Sequence, residues 1–348
     1  MSLSRPDKLP LLKLPWLCIK CVLLNSDLFD MIYFATISKK TRRIVKNSKY
    51  SLKNIDVSPS TWFKSICIGD INKNLEIRKI WYFVHYMGGN GVPLVLTRDF
   101  PSLLTSRGFG FNGRHYLKSY TTGDDLDALK MGTEFMIDVF GCIVSYINVA
   151  GNELSKLVRL GISSVKVLFI SNAGPVNLAD LKCLLETVKV TDEYSIHVKI
   201  PKEFYCEPRI FKCRKLHFGG DNSADWITLD ILCQLNVPKL SFLYNRFSKE
   251  DIVSYVTYWF NSENRKLEYF FVSFDDPVSF EDFKIDNLNP MPFCEKRRNR
   301  CIFVGEWENT DMSSGMDILR QDGLLATLLV KHTSIIFHIW HKRFPDTV

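Results

Sequence analysis

Four short segments that share one pattern constrain the fold of this 348-residue chain most strongly. Each begins with lysine, continues with an aliphatic residue and ends with an aromatic one: Lys166–Phe169, Lys215–Phe218, Lys239–Phe242 and Lys266–Tyr269. The last three begin 24 and 27 residues apart, and helical patterns fill the gaps between them. A strand–helix unit repeated every twenty to thirty residues or so is typical of stacked repeats, in which neighbouring units bury each other's apolar faces.

The flanking sequence extends this alternation. Helices are predicted over 126–140, 153–160, 178–188, 226–235 and 249–260, and further strands over 142–149, 165–170, 194–200, 301–304, 324–330 and 335–340. The regular leucine and asparagine spacing of leucine-rich repeats is absent. We therefore expect an irregular, leucine-rich-repeat-like α/β body over residues 61–348.

The first part of that body has weaker signals. Strand-like segments at 62–68, 76–86, 92–96 and 115–120, with a turn at 88–91, predict a few antiparallel strands. The polar stretch 51–60 contains Pro59 and is predicted to be a linker.

Residues 9–46 follow a different pattern. Proline favours the first helical turn and disfavours helix in the residue before it, so a first helix is predicted to start at Pro15. A second is predicted over 29–35 after the capping sequence Asn25-Ser26-Asp27, and a third over 39–46 after Ser38. Three helices this short cannot bury their own apolar residues. They form either a docking module or, alternatively, an N-terminal cap on a larger core.

The spacing Leu9-Pro10-Leu11-Leu12-x-Leu14-Pro15, then Val22-Leu23, then Ser38-Lys39-x-Thr41-Arg42 resembles the F-box of the large nematode F-box family. The resemblance implies an α/β protein with a three-helix F-box module over residues 8–50. That module would bind a Skp-type adaptor and through it a cullin, in an SCF-type ubiquitin ligase. The adaptor-binding residues that the resemblance implies are Leu9, Pro10, Leu14, Pro15, Val22, Leu23, Ile32, Ser38 and Arg42.

The second half resembles the nematode F-box associated domain of the second type. The residues that carry this are 160–165, 226–230, 267–269 and 317–323. The resemblance implies a non-enzymatic domain that recruits an unidentified protein substrate. Two alternatives stay open: a repeat scaffold that serves a ligase-independent partner, and an enzyme with a cleft between body and helices.

The net charge of +7 lies in the N-terminal segment. Residues 1–50 hold ten Lys or Arg and three Asp or Glu, which leaves the rest of the chain neutral. A local basic field favours an acidic partner. The basic cluster 39–43 has no base-reading context, so we do not expect nucleic acid as a partner.

Ten scattered cysteines without a signal-peptide pattern indicate reduced, mostly buried thiols in a cytoplasmic or nuclear protein. The apolar run 324–340 is too short and too charged to cross a bilayer, so no membrane association is expected.

Four motifs could carry chemistry, and each has a simpler interpretation. The Gly-x-Gly-x-x-Gly match at 108–113 is predicted to be a turn, and Cys18-x-x-Cys21 to be core packing. Cys206, Cys213 and His217 could bind metal, but basic neighbours at 212, 214 and 215 disfavour this. The basic run 295–300 is predicted to be a solvated loop, with a nuclear import signal or acidic-target patch as the alternative. No cofactor and no catalytic residue are predicted.

Overall fold

The computed structural model describes residues 11–50, 52–60, 64–69, 79–85, 95–97, 100–109, 115–244, 246–304 and 308–343. The chain has a mixed α/β fold with two compact units, Met1–Ser145 (unit 1) and Tyr146–Val348 (unit 2). The predicted α/β class is confirmed.

Unit 1 begins with three short helices: α1 (Trp16–Leu24), α2 (Leu28–Ile37) and α3 (Lys39–Ser48). The Asp27 side chain accepts a hydrogen bond from the Phe29 amide at 2.8 Å and so starts α2. Ser38 and Thr41 form a reciprocal capping box that starts α3. These local caps are visible in the sequence, and the second and third helices lie within two residues of their predicted ends.

Six strands and one long helix complete unit 1. They are β1 (Asn54–Ser58), β2 (Lys64–Ile68), β3 (Lys79–His85), β4 (Val95–Thr97), β5 (Phe100–Phe109), β6 (His115–Thr121) and α4 (Asp125–Phe140). The strand order is β1–β2–β3–β6–β5–β4. Helix α4 contacts β2 and β3. It can approach β3 closely because Gly132 has no side chain, and a Cβ at this position would overlap with the Phe83 ring.

Several expectations for this region need correction. Part of the predicted linker 51–60 forms strand β1, whose Ile55 and Val57 are buried. Strand β5 was not expected, and β3 pairs with β6 in parallel rather than antiparallel orientation. The predicted turn at 88–91 lies outside the described residues.

Unit 2 is built around strands that follow one another in parallel. In chain order the elements are β7 (Ile143–Ala150), α5 (Leu154–Leu160), β8 (Ser164–Ser171), α6 (Leu178–Thr187), β9 (Lys189–Ile196), β10 (Lys215–Phe218), α7 (Leu229–Gln234), β11 (Lys239–Phe242), α8 (Lys249–Asn261) and β12 (Tyr269–Ser273). Each strand pairs in parallel with the next. Since crossovers between parallel strands are right-handed and all advance in one direction, the helices lie on one face of the sheet.

Burial along the strands agrees with that topology. Leu216 and Phe218 of β10 are fully buried, while Lys215 and His217, which alternate with them, are half-exposed. Helix α8 covers the buried face, where the rings of Tyr255 and Phe270 lie 4.6 Å apart. The opposite face of β8–β11, here called the open sheet face, has no helix over it among these elements.

Strand β12 is followed by an antiparallel region. Its strands are β13 (Met291–Pro292), β14 (Cys301–Val304), β15 (Glu308–Asp311), β16 (Met316–Leu319), β17 (Leu325–Lys331) and β18 (Ser334–Trp340). The order β12–β18–β17–β16–β13 extends the sheet, as predicted for the last two strands. The predicted strand 301–304 instead pairs with β15 in a separate two-stranded sheet.

Several element boundaries in unit 2 differ from the prediction. Helix α7 starts at Leu229 because Thr228 caps it, which leaves Trp226 as a buried residue before the helix. Strand β9 ends at Ile196 rather than at residue 200. Only Tyr269 of the fourth lysine-to-aromatic segment lies in a strand, where it pairs with Lys239.

Candidate functional site

The N-terminal helices expose an unusual amount of apolar surface. The exposed side chains are Leu12, Trp16, Leu17, Val22, Leu24 and Ile37, of which Leu17 is 73% exposed. We call this set the helical apolar surface. Exposed apolar side chains grouped on one part of a folded protein commonly mark a site of protein interaction.

The composition of α1 explains the exposure. Its sequence, WLCIKCVLL, is apolar around most of the helix, yet only Ile19 and Leu23, one turn apart, are buried. The remaining apolar side chains of α1 are therefore left in contact with solvent. Next to them a groove of about 270 Å³ is lined by Leu11, Val22, Leu23, Ser26, Asp30, Met31, Tyr33, Phe34 and Ile37.

The structure separates the predicted adaptor-binding residues into two groups. Pro15 and Val22 are exposed and Leu14 is half-exposed. Leu23 and Ile32 are buried, and the Ser38 side chain caps α3. Leu9 and Pro10 lie outside the described residues. The sequence feature that indicates the other exposed residues of α1, such as Trp16, Leu17 and Leu24, is that this helix has no polar face.

Arg42 is held by an interaction inside unit 1. Its guanidinium binds the carboxylate of Asp138 on α4 at 2.8 Å, and Lys46 binds the other oxygen at 2.7 Å. Arg42 also lies over the Phe135 ring, 5.2 Å from its centroid. Hydrogen bonds from Lys46 and Arg42 lower the pKa of Asp138, so the carboxylate stays charged and joins α3 to α4. Lys39, Lys40 and Arg43 of α3 are left solvent-exposed or half-exposed as a basic margin.

The cysteines divide differently from the prediction. Cys18 and Cys21 are exposed, so their assignment to core packing is wrong: α1 turns both away from its buried stripe. Cys142, Cys206 and Cys213 are buried, and burial raises the pKa of the Cys206 thiol to about 12. Among the described residues, no group of three or more His, Cys, Asp or Glu side chains could hold a metal ion.

The basic run 295–300 is part of the folded structure of unit 2. Arg298 is fully buried and binds Asp317 at 2.6 Å, and Arg297 binds the same carboxylate at 2.8 Å. Arg300 pairs with Asp311 at 2.7 Å. The solvated-loop interpretation is therefore wrong for Arg298. The sequence does not reveal these ion pairs, because the partner carboxylates Asp311 and Asp317 lie on strands β15 and β16, outside the basic run.

The open sheet face has a row of rings across three neighbouring strands. The ring of His197, just after β9, lies 4.6 Å from that of Phe169 on β8 and 5.4 Å from that of His217 on β10. Ser195 hydrogen-bonds to Nε2 of His197 at 3.0 Å, and Ser241 to Nδ1 of His217 at 3.1 Å. No sequence signal combines these residues, since His197 is isolated in the sequence and His217 lies near Cys206 and Cys213.

The other motifs add no site. Gly108 and Phe109 end strand β5, and the rest of the glycine motif lies outside the described residues. Of the helices that the structure describes, none has both the length and the apolar character needed to span a bilayer.

Comparison with known proteins gives one family match. Residues 208–272, within unit 2, match a family described as F-box associated. Two uncharacterized proteins of Caenorhabditis elegans, F59B2.8 and F59B2.9, are 24% and 26% identical over 173 and 181 residues. Those segments are 45% and 48% of this chain, and they span only 39% and 41% of the relatives' own length. No solved structure matches.

Proposed function

We propose that this chain is the substrate-recognition subunit of an SCF-type cullin–RING ubiquitin ligase. The F-box associated match supports a substrate-recognition role for unit 2. The observation that carries the proposal is the helical apolar surface, which offers the same chain a docking site for a second protein. In this role the three helices bind a Skp-type adaptor and through it a cullin, while unit 2 binds a protein substrate.

The predicted adaptor-binding residues then have different tasks. Leu14, Pro15 and Val22 contact the adaptor together with Leu17, and Leu9 and Pro10 belong to the same entry segment. Leu23 and Ile32 position this surface from beneath, since both are buried. Ser38 and Arg42 fix α3 through its cap and through Asp138. The basic margin of α3 favours a partner with an acidic rim.

The chain itself supplies no chemistry in this proposal. It accelerates ubiquitin transfer by holding the substrate near the ligase, which raises the effective concentration of the reacting groups. The parallel strands and helices of unit 2 are interpreted as an irregular, leucine-rich-repeat-like body whose open sheet face and loops contact the substrate. Such a role places the protein in the cytoplasm or nucleus.

Substituting the exposed apolar residues tests the docking site. Leu17→Asp together with Val22→Asp should weaken adaptor binding at least about a hundredfold, because two central apolar contacts become charged. Both side chains are exposed, so the melting temperature should change little. Binding is measured by isothermal titration calorimetry with a purified Skp-type adaptor, and folding by circular dichroism.

A matched control is available in unit 2. Val158 on α5 of unit 2 is 41% exposed, as is Val22 of unit 1, so Val158→Asp makes the same chemical change outside the three N-terminal helices. It should leave adaptor affinity unchanged. Wild-type affinity in the double variant, or a wild-type chain that binds no adaptor, would refute the proposal. An adaptor complex that fails to bind cullin would favour a ligase-independent scaffold.

A further inference from the structure

The open sheet face contains two imidazoles arranged as a chelating pair. The strand register pairs Ile196 of β9 with Phe218 of β10, so His197 stands beside Gly219, diagonally across from His217. Side chains on adjacent strands in this relation are within reach of each other. The centroids of the two rings lie 5.4 Å apart.

Gly219 makes the approach possible. A Cβ at this position would lie 2.2 Å from Cε1 and 2.7 Å from Nδ1 of His197, and 2.7 Å from Nε2 of His217. The edges of both rings, including these two nitrogens, therefore border the space that the absence of a side chain leaves. Any other residue at this position would fill that space and push the rings apart.

The remaining nitrogens are already oriented by hydroxyl groups. Ser195 holds Nε2 of His197 at 3.0 Å and Ser241 holds Nδ1 of His217 at 3.1 Å. Metal-binding histidines usually have such a partner on the nitrogen opposite the metal, since it fixes the ring orientation. The serines thus direct His197 Nδ1 and His217 Nε2 toward the same space.

We propose that His197 and His217 form an open binding site for a divalent transition-metal ion such as Zn²⁺. This inference is independent of the proposed ligase role. Two imidazole nitrogens about 2.0–2.1 Å from one ion lie about 3–3.5 Å apart, which small rotations of these rings allow. The ion replaces the hydrogen bond that the Gly219 backbone makes with the His197 ring.

The surroundings suit a borderline-soft cation. Burial lowers the pKa of His197, and burial with the nearby Lys215 lowers that of His217 to about 4, so both rings are neutral near pH 7. Lys215 is paired with Glu193 at 3.0 Å, which offsets its charge. Imidazole favours zinc, copper and nickel over magnesium or calcium. Two protein ligands leave further positions to water or to a group from a bound partner.

Calorimetric titration of the full chain, stripped with a chelator, with Zn²⁺ alone tests the site. One ion should bind per chain, and Mg²⁺ should not bind. His197→Ala or His217→Ala should each lower the affinity at least tenfold, while His332→Ala, which alters an exposed histidine elsewhere in unit 2, should not. Ser241→Ala should lower it about tenfold through loss of ring orientation.

Two further measurements keep the test decisive. Gly219→Ala retains both ligands but fills the space between them, so it should also remove binding. On the wild-type chain, electron paramagnetic resonance of added Cu²⁺ should show two coupled nitrogens, even where variants fold poorly. A chain that shows no saturable Zn²⁺ binding, or whose binding survives loss of both histidines, overturns the inference.

Discussion

Replacing Asp317 with alanine is expected to destabilise unit 2 by about 3–5 kcal/mol, because it leaves a buried guanidinium without its counter-charge. Arg298 and Asp317 are both fully buried and lie 2.6 Å apart. The guanidinium carbon also lies over the rings of Phe293 and Trp340, 4.6 and 5.0 Å from their centroids. Thr327 donates a hydrogen bond to the same carboxylate at 2.7 Å. Loss of the carboxylate therefore leaves several polar groups unpaired at once.

The neighbouring ion pair gives a matched control. Arg300 and Asp311 are as close as 2.7 Å, but their side chains are 60% and 47% exposed. Water can replace this interaction, so Asp311→Ala should change stability little. The double change Arg298→Met and Asp317→Leu should cost less than Asp317→Ala, since it removes both charges. The free energy of unfolding of all three variants is measured by urea unfolding, monitored through hydrogen exchange of the backbone amides of β16–β18. Equal effects of Asp317→Ala and Asp311→Ala would contradict the argument.

Local signals made most helices predictable from the sequence. Helix α8 was expected over 249–260 and spans Lys249–Asn261, because Ser248 and Asp251 form the capping box that their spacing indicates. Helix α4 likewise begins after Asp124 and ends just before Gly141, which adopts the left-handed conformation expected of a helix-ending glycine. Each of these features involves residues only a few positions apart.

Strand positions depended on partners far away in the sequence. Asn54–Ser58 lies in a polar stretch, and it is a strand because β2 pairs with it. The segment Lys266–Tyr269 has the same pattern as β10 and β11, yet strand β12 begins only at Tyr269, because hydrogen bonds to Asn264 hold the preceding residues in another conformation. There the Asn264 side chain accepts hydrogen bonds from the amides of Lys266 and Leu267 at 2.8 and 3.3 Å.

The sequence predicted which segment carries the candidate site, but not which side chains of that segment form the exposed surface. The sequence singled out the pair Val22-Leu23, and adjacent helical residues point about 100° apart, so one of them can be buried while the other is exposed. Which one depends on the direction from which α2 and α3 pack. The same limitation made Cys18 and Cys21 look like core residues. His197 and His217 of unit 2 are brought together by the register of β9 and β10, which the sequence does not show.

Acidification should destabilise unit 2 through His338 on β18. Its Nδ1 atom is shielded from solvent and lacks a hydrogen-bond partner among the described residues. Burial lowers the pKa of His338 to about 3, helped by the positive charges of His341, Lys239 and Arg298 and opposed by a hydrogen bond with the Glu268 backbone. The unfolded chain, with an ordinary histidine pKa near 6.5, therefore binds the proton first.

The direction of the pH effect follows from the pKa of His338, which is lower in the folded chain than in the unfolded chain. Stability from the neutral imidazole is fully present above about pH 6.5 and is lost as the pH falls toward the folded pKa, by about 1.4 kcal/mol for each pH unit. At pH 5 the loss from His338 is about 2 kcal/mol. The aspartates whose pKa is lowered, such as Asp138, lose their contribution only below their ordinary pKa of 3.8, so pH 5–6.5 isolates the histidines.

His338→Phe tests this assignment because it keeps a flat ring against Trp340, whose ring centroid lies 4.7 Å away. Ile339 still donates its amide to the Glu268 carbonyl, so that oxygen stays paired. Urea unfolding at pH 6.5 and pH 5 should show a loss smaller by about 2 kcal/mol in the variant than in the wild type. Since His197 and His217 are present in both proteins, their contributions cancel in this comparison. His332→Phe, at an exposed position, should retain the wild-type pH dependence; the same dependence in His338→Phe would mean that His338 is protonated equally in the folded and unfolded chains.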